Sequence, residues 1–188
     1  MTTFFCLLTG TLEVSLSTMD LIEEAIKYKI IKTREEATGT QYNMVTSETV
    51  SRLNCLAGIL TMNSSLNVRQ TPQTERRYDM WTVSGDTTVA IETKDRKCRS
   101  DSFEDFGLSK SKYDMLRAID VTCGGRAVWY ANTFQDGKLM IWDVNEAPCT
   151  IRPWSHNKYT EKSGRTITED AVYFKPSDAK YIVKYDRM

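Results

Sequence analysis

Two periods of apolar residues run through the chain. Between Glu75 and Lys94 (ERRYDMWTVSGDTTVAIETK), two stretches rich in Tyr, Trp, Val, Ile and Thr flank Ser84-Gly85-Asp86-Thr87. Gly followed by Asp in such a break signals a tight hairpin, and the flanking β-branched and aromatic residues signal its strands. With Gly85-Asp86 as the loop, Ser84 pairs with Thr87 and Asp79 faces Glu92. A second strand pair is predicted from Arg126 to Phe134 and from Lys138 to Val144, around Gln135-Asp136-Gly137, where Asp-Gly is again a hairpin signal. Helical spacing predicts three further elements. One runs from Ser17 or Thr18 to about Thr38 and is stopped by Gly39; a second runs from Ser47 to about Thr61; a third runs from Ser109 to Asp120 and is closed by Gly124-Gly125. Leu66–Gln70 reads as a short strand joining the first hairpin, Ser100–Leu108 as a loop with two Phe anchors, and Ala171–Phe174 and Tyr181–Tyr185 as short strands finishing the sheet.

The first hairpin places charge where a strand pair does not favour it. Directly opposed residues have Cβ atoms roughly 4.5–5.5 Å apart, and like charges there destabilise the pair. Lys94 lies two residues beyond Glu92 and so shares its face. A divalent cation relieves the repulsion of two acids, and Mg²⁺ takes carboxylate oxygens while completing its shell with water and substrate phosphate. A lysine beside such a centre can orient an attacking water or offset charge that develops at phosphorus.

Asp79 at the start of one strand and Glu92-Thr93-Lys94 at the end of the next resemble the PD-(D/E)xK nuclease superfamily, with Tyr78 standing where the family's Pro precedes the Asp. The resemblance covers roughly residues 47–144 and implies an α/β (α+β) fold: a mixed central β-sheet flanked by helices, with the restriction-endonuclease-like αβββαβ core. It implies a metal-dependent nuclease hydrolysing phosphodiester bonds of DNA. Asp79, Glu92, Lys94 and Lys112 would be catalytic, and Asp79, Glu92, the Thr93 carbonyl and Glu48 would ligate Mg²⁺, with Mn²⁺ able to substitute. Glu48 is equally readable as an acid favoured by a helix N-terminus, and Glu75 is a further candidate by proximity. Lys112, with Tyr113 beside it, matches the family's lysine on the helix after the E-x-K strand; its other reading is a side chain that snorkels to water. The basic group Arg96, Lys97 and Arg99, with Lys110, would hold a phosphate backbone, or is simply a solvated charge run. A non-catalytic nucleic-acid-binding or protein-interaction module on the same fold is the alternative, because function lives in sites rather than folds. DNA is the implied partner, and many such nucleases act as homodimers.

Composition frames these readings. The chain has 188 residues, of which 40% are hydrophobic and 27% charged, so one globular domain with a sizeable core is expected over 1–188. Around the core, residues 18–38 form an N-terminal helical extension and 145–188 a C-terminal strand extension. Lys plus Arg equal Asp plus Glu at 25 each, so a phosphate-binding surface must come from local clustering. The five cysteines, at positions 6, 55, 98, 123 and 149, form no C-x-x-C pair. That spacing argues against a disulfide framework or zinc site and for a reducing compartment, read as the cytoplasm. His156 is the single histidine, so no multi-histidine metal site can form. Met1–Ser17 lacks the basic region of an export signal and is interrupted by Gly10 and Glu13, so no membrane association is expected. Trp154 to Lys158, with Lys162 and Arg165, is read as a solvated loop, or as a flexible segment that stacks Trp154 on nucleic acid. No P-loop is present, which excludes ATP-driven chemistry of that kind.

Overall fold

Six strands form the main sheet: β1 (Asn67–Gln70), β2 (Met80–Ser84), β3 (Thr87–Asp95), β5 (Ala127–Thr133), β6 (Lys138–Asp143) and β9 (Tyr181–Lys184), in the order β1-β2-β3-β5-β6-β9. Helix α1 (Met44–Met62) precedes it in the chain; β4 (Phe106–Ser109) and helix α2 (Lys110–Thr122) lie between β3 and β5. A second sheet, in the order β4-β8-β7, is made by β4 with β7 (Thr150–Asn157) and β8 (Thr166–Phe174). The computed structural model describes residues 44–63, 66–71, 78–84, 87–122, 127–157 and 166–187. The expected helix from Ser17 to Thr38, the Met1–Ser17 segment, Glu75, the Gly85-Asp86 loop and the Gly124-Gly125 stop lie outside the described residues.

The first hairpin has the expected register, with Ser84 opposite Thr87 and Met80 opposite Ile91. β3 then pairs parallel with β5. Parallel neighbours need a long crossover, which β4 and α2 supply. The second hairpin turns at Gly137, whose φ is +69; Phe134 and Lys138 close that turn through a 2.9 Å N–H···O=C bond. Glycine reaches this left-handed conformation without a Cβ penalty.

The sheet is buried on both sides, and strand alternation divides the core into two layers. Val89 and Ile91 pack with Leu53, Leu56, Ile59 and Leu60 of α1. Ala90, Val128, Tyr130 and Trp142 pack with Leu116 and Ile119 of α2 and with Val172 and Phe174 of β8. Side chains of β3 at even positions, Glu92 and Lys94 among them, therefore project toward α2. Close packing of α1 on β6 leaves no room at Gly58, where an added Cβ would stand 2.5 Å from Leu139 Cδ2 and 2.9 Å from its Cβ. Gly→Ala in a helix normally gains up to about 1 kcal/mol, but overpacking a tight core costs about 1–3 kcal/mol. Gly58→Ala is thus expected to lower stability in urea unfolding, and a smaller residue at Leu139 in the same chain should restore part of the loss.

Three expectations are corrected. Ser100–Leu108 is not all loop: Phe106–Ser109 pairs with Ala171–Phe174. β9 finishes the main sheet beside β6, whereas β8 joins the second sheet and not the first. Trp154–Asn157 is strand rather than loop, paired with Thr166–Glu169. No helix among the described residues is long and apolar enough to cross a membrane.

Candidate functional site

Asp79 stands just before β2. Its N–H donates to the Ile91 carbonyl at 3.0 Å, and its carbonyl accepts the Thr71 N–H at 3.0 Å. One carboxylate oxygen, Oδ2, accepts the Thr93 N–H at 2.8 Å and the Thr93 hydroxyl at 3.0 Å. That hydroxyl in turn accepts a hydrogen bond from Ser51 of α1 at 3.1 Å. The chain Ser51 to Thr93 to Asp79 anchors one edge of the carboxylate to helix and sheet together. The other oxygen, Oδ1, has Arg52 Nη2 at 3.9 Å. Thr93 was expected to contribute its carbonyl to a metal; here its N–H and hydroxyl fix the orientation of Asp79.

Glu92 projects from β3 toward α2, with only 13% of its side chain exposed. Lys112 Nζ lies 2.8 Å from Glu92 Oε2, and the two form an ion pair on the α2 side of the sheet. Burial, and then the negative charge of Asp79, push the Glu92 carboxyl up to about 7; the ammonium groups of Lys112 and Lys94 offset part of that rise. Desolvation disfavours the charged form and a like charge adds to it, so this acid exchanges its proton near neutral pH. Lys94 shares the face and is itself exposed. Lys112 is thus brought to the site and does not snorkel away from it.

Glu48 lies on α1 one turn before Ser51 and Arg52, on the same helical stripe by the three-and-four rule. Tyr113 does not join the site: its hydroxyl accepts from the Cys149 thiol at 3.8 Å, and its ring lies 6.2 Å from that of Phe174. The expected basic patch divides. Arg96 turns inward, where its guanidinium donates to the Tyr130 hydroxyl and the Gly107 carbonyl, so it ties β3 to β5 and β4 rather than facing a phosphate backbone. The reason is parity, since Arg96 shares the α2 side of β3 with Glu92 and Lys94. Lys97 and Arg99 point outward with 61% and 65% of their side chains exposed, Lys97 lying 3.8 Å from Asp95 and Arg99 3.3 Å from Asp101. Lys110 reaches Asp114 one turn along α2, 2.6 Å from its Oδ2.

Ser51 and Arg52 were not found from sequence, although the helical stripe that contains Glu48 would have pointed to both. No group of three His, Cys, Asp or Glu residues gathers among the described residues.

No family model and no curated protein matches the sequence. Among solved structures, the chain is similar to Hjc, a Holliday junction resolvase of the archaeal hyperthermophile Archaeoglobus fulgidus. The likeness covers 67% of this chain and 84% of that one, at 15% identity and a TM-score of 0.44. In its own element order, with a helix, a three-stranded meander, a crossover helix and a parallel return strand, the chain has a mixed α+β fold.

Proposed function

We propose that this chain is a Mg²⁺-dependent nuclease hydrolysing phosphodiester bonds of DNA. The observation that carries this reading is the surroundings of Glu92, which is raised to about 7 chiefly by burial and then by Asp79, with Lys112 2.8 Å away and Lys94 also close enough to offset its charge. The residues fit a divalent cation. Glu92 is buried and its carboxyl is raised by that burial and by Asp79, and Asp79 Oδ1 lies 3.9 Å from the Arg52 guanidinium. Asp79 and Glu92 would hold the ion, with Glu48 or the Thr93 carbonyl available in support. When bound, the ion would supply Lewis acidity at the phosphate and acidify a water.

The protein's own groups do the rest. Thr93 and Ser51 hold Asp79 in one orientation. Lys112 keeps Glu92 turned toward the site and offsets its charge. Lys94, exposed beside Glu92, orients the attacking water and offsets charge developing on the phosphate oxygens. Lys97 and Arg99, on the loop leaving β3 and 61% and 65% exposed, would meet the backbone of a bound strand. Metal ligands must be deprotonated, so Mg²⁺ affinity is expected to rise with pH through about 7, the value to which Glu92 is pushed. Isothermal titration between pH 6 and pH 8.5 measures this, and a pH-independent affinity would remove Glu92 from the ligand set.

A second reading has its own observation. Each acid already has a cation near it, Lys112 on Glu92 at 2.8 Å and Arg52 by Asp79 at 3.9 Å, which is how a non-catalytic nucleic-acid-binding or protein-interaction module would neutralise them. Plasmid, linear duplex, single-stranded and four-way-junction DNA incubated with Mg²⁺ or Mn²⁺ separate the two readings. The nuclease reading expects metal-dependent cutting by the wild type that is lost in Glu92→Ala and Lys94→Ala. Salt-dependent binding without cutting would instead establish the binding module.

A further inference from the structure

The parallel register sets Glu92 abreast of Tyr130 and Lys94 abreast of Asn132. Residues paired in this way point to the same side of the sheet, so these four side chains form one patch on the α2 face, with strand axes roughly 4.8 Å apart. Asn132 is fully buried. Neither its Nδ2 nor its Oδ1 has a hydrogen-bond partner among the described residues.

The neighbours explain it only in part. The Tyr130 hydroxyl is within reach of the Asn132 Nδ2, whose hydrogen bonding favours the ionised form of the tyrosine, but its own proton goes to the Gly107 carbonyl at 2.9 Å and it accepts from Arg96, so it offers no donor to Oδ1. On the other flank Asn132 pairs with Met140, which offers no donor. A buried amide with unmade hydrogen bonds is destabilising where an apolar side chain of the same size would be neutral or better. A partner supplied by a functional site is one way such a group is satisfied.

We propose that Asn132 is a positioning residue for Lys94, its side-chain carbonyl accepting a hydrogen bond from the Lys94 ammonium once a phosphate is loaded. The ammonium has three donors and no acceptor. One proton given to Asn132 fixes its direction and leaves two for the attacking water and a phosphate oxygen. Lys94 is exposed in this structure, and its long stem starts beside Asn132, so the contact forms by a rotamer change without backbone movement. The inference rests on the nuclease reading above and assigns a role that the expected site residues leave open.

Asn132→Leu tests it, with Asn132→Ala as the second variant should Leu overpack the site. Cleavage at saturating DNA and Mg²⁺ is expected to fall about 10- to 100-fold, the usual effect of losing a residue that orients a reacting group. DNA affinity is expected to stay within about twofold of wild type because Asn132 touches no substrate. The melting temperature should be unchanged or raised in the Leu variant. In Mg²⁺-loaded protein bound to a non-cleavable DNA, the Lys94 ammonium should give an ordered, hydrogen-bonded side-chain NMR signal that disappears in Asn132→Leu. Wild-type cutting rates in the variants, a rate loss that merely tracks a lowered melting temperature, or an unchanged Lys94 signal would each overturn the proposal. Failure of the wild type to cut any DNA would instead overturn the nuclease reading, and this inference with it.

Discussion

Glu92→Gln is expected to stabilise the metal-free protein at pH 8 and to abolish its cleavage of DNA. The two effects have one cause. Glu92 is pushed from the ordinary carboxyl value of 4.5 to about 7 by burial and by Asp79. A raised acid stabilises the fold fully only below its unfolded value, and that contribution is lost as pH rises through the folded one. Stability of the metal-free wild type should therefore decline between about pH 4.5 and pH 7, and the whole loss is in place at pH 8. Each unit corresponds to about 1.4 kcal/mol, so removing the charge with an isostere should recover on the order of 2–3 kcal/mol at pH 8 and little at pH 5. Lys112 loses its partner in the variant, but at 22% side-chain exposure it can reach water. Cleavage should fall by on the order of a thousandfold or more, since Gln offers a neutral oxygen where the site needs a charge that develops its full strength in a water-poor setting. Thermal melts at the two pH values, with and without Mg²⁺, check the stability arm. A variant less stable than wild type at pH 8 would show that the acids are not in conflict.

Arg187→Ala should cause a larger loss of stability than any surface substitution. Arg187 grips Asp95 through two parallel bonds of 2.8 Å and also donates to the Phe134 carbonyl at 3.1 Å. Thr133 adds a hydroxyl bond of 2.7 Å to the same carboxylate, whose side chain is 4% exposed. Removing one partner of a buried pair leaves an uncompensated charge and costs about 3–5 kcal/mol. With Arg187 itself 20% exposed, the lower end applies. About 3 kcal/mol corresponds to a fall in melting temperature of roughly 6–12 °C in a chain of this size. Arg187→Lys should restore only part, because an ammonium cannot make the paired fork. Replacing Asp95 and Arg187 together with apolar residues should recover most of the loss. A change of less than about 1 kcal/mol in Arg187→Ala, as for an exposed pair, would mean that the pair is not held as described. Because Asp95 follows Lys94 directly, the same contact ties the end of β3 to the segment after β9.

The hairpin was legible because a two-residue loop fixes parity. Once Ser84 faces Thr87, every later pair follows down to Met80 and Ile91. Helix α1, helix α2 and the Asp-Gly turn were legible for similar local reasons, apolar spacing and a glycine with positive φ. The second sheet was not. β4 has four residues, too few to show alternation, and β7 carries Pro153, which argues against a strand unless the ladder leaves its nitrogen unused. Arg96 was misread because a basic run gives charge without direction; counting parity from Glu92 would have turned it inward. Asn132 was passed over inside AVWYANT because an amide among apolar residues looks unremarkable until the parallel pairing with Lys94 is known. That pairing is long-range, and nothing in the local sequence encodes it.

The central claim is that Asp79 and Glu92 form a divalent-cation seat beside Lys94. The most direct measurement is an anomalous-difference map from crystals grown at pH 8 with Mn²⁺, set against Glu92→Gln treated identically. The account predicts one peak within coordination distance of both carboxylates in the wild type and none in the variant. A wild-type map with no peak between Asp79 and Glu92 at saturating Mn²⁺, or the same peak in both proteins, would contradict it.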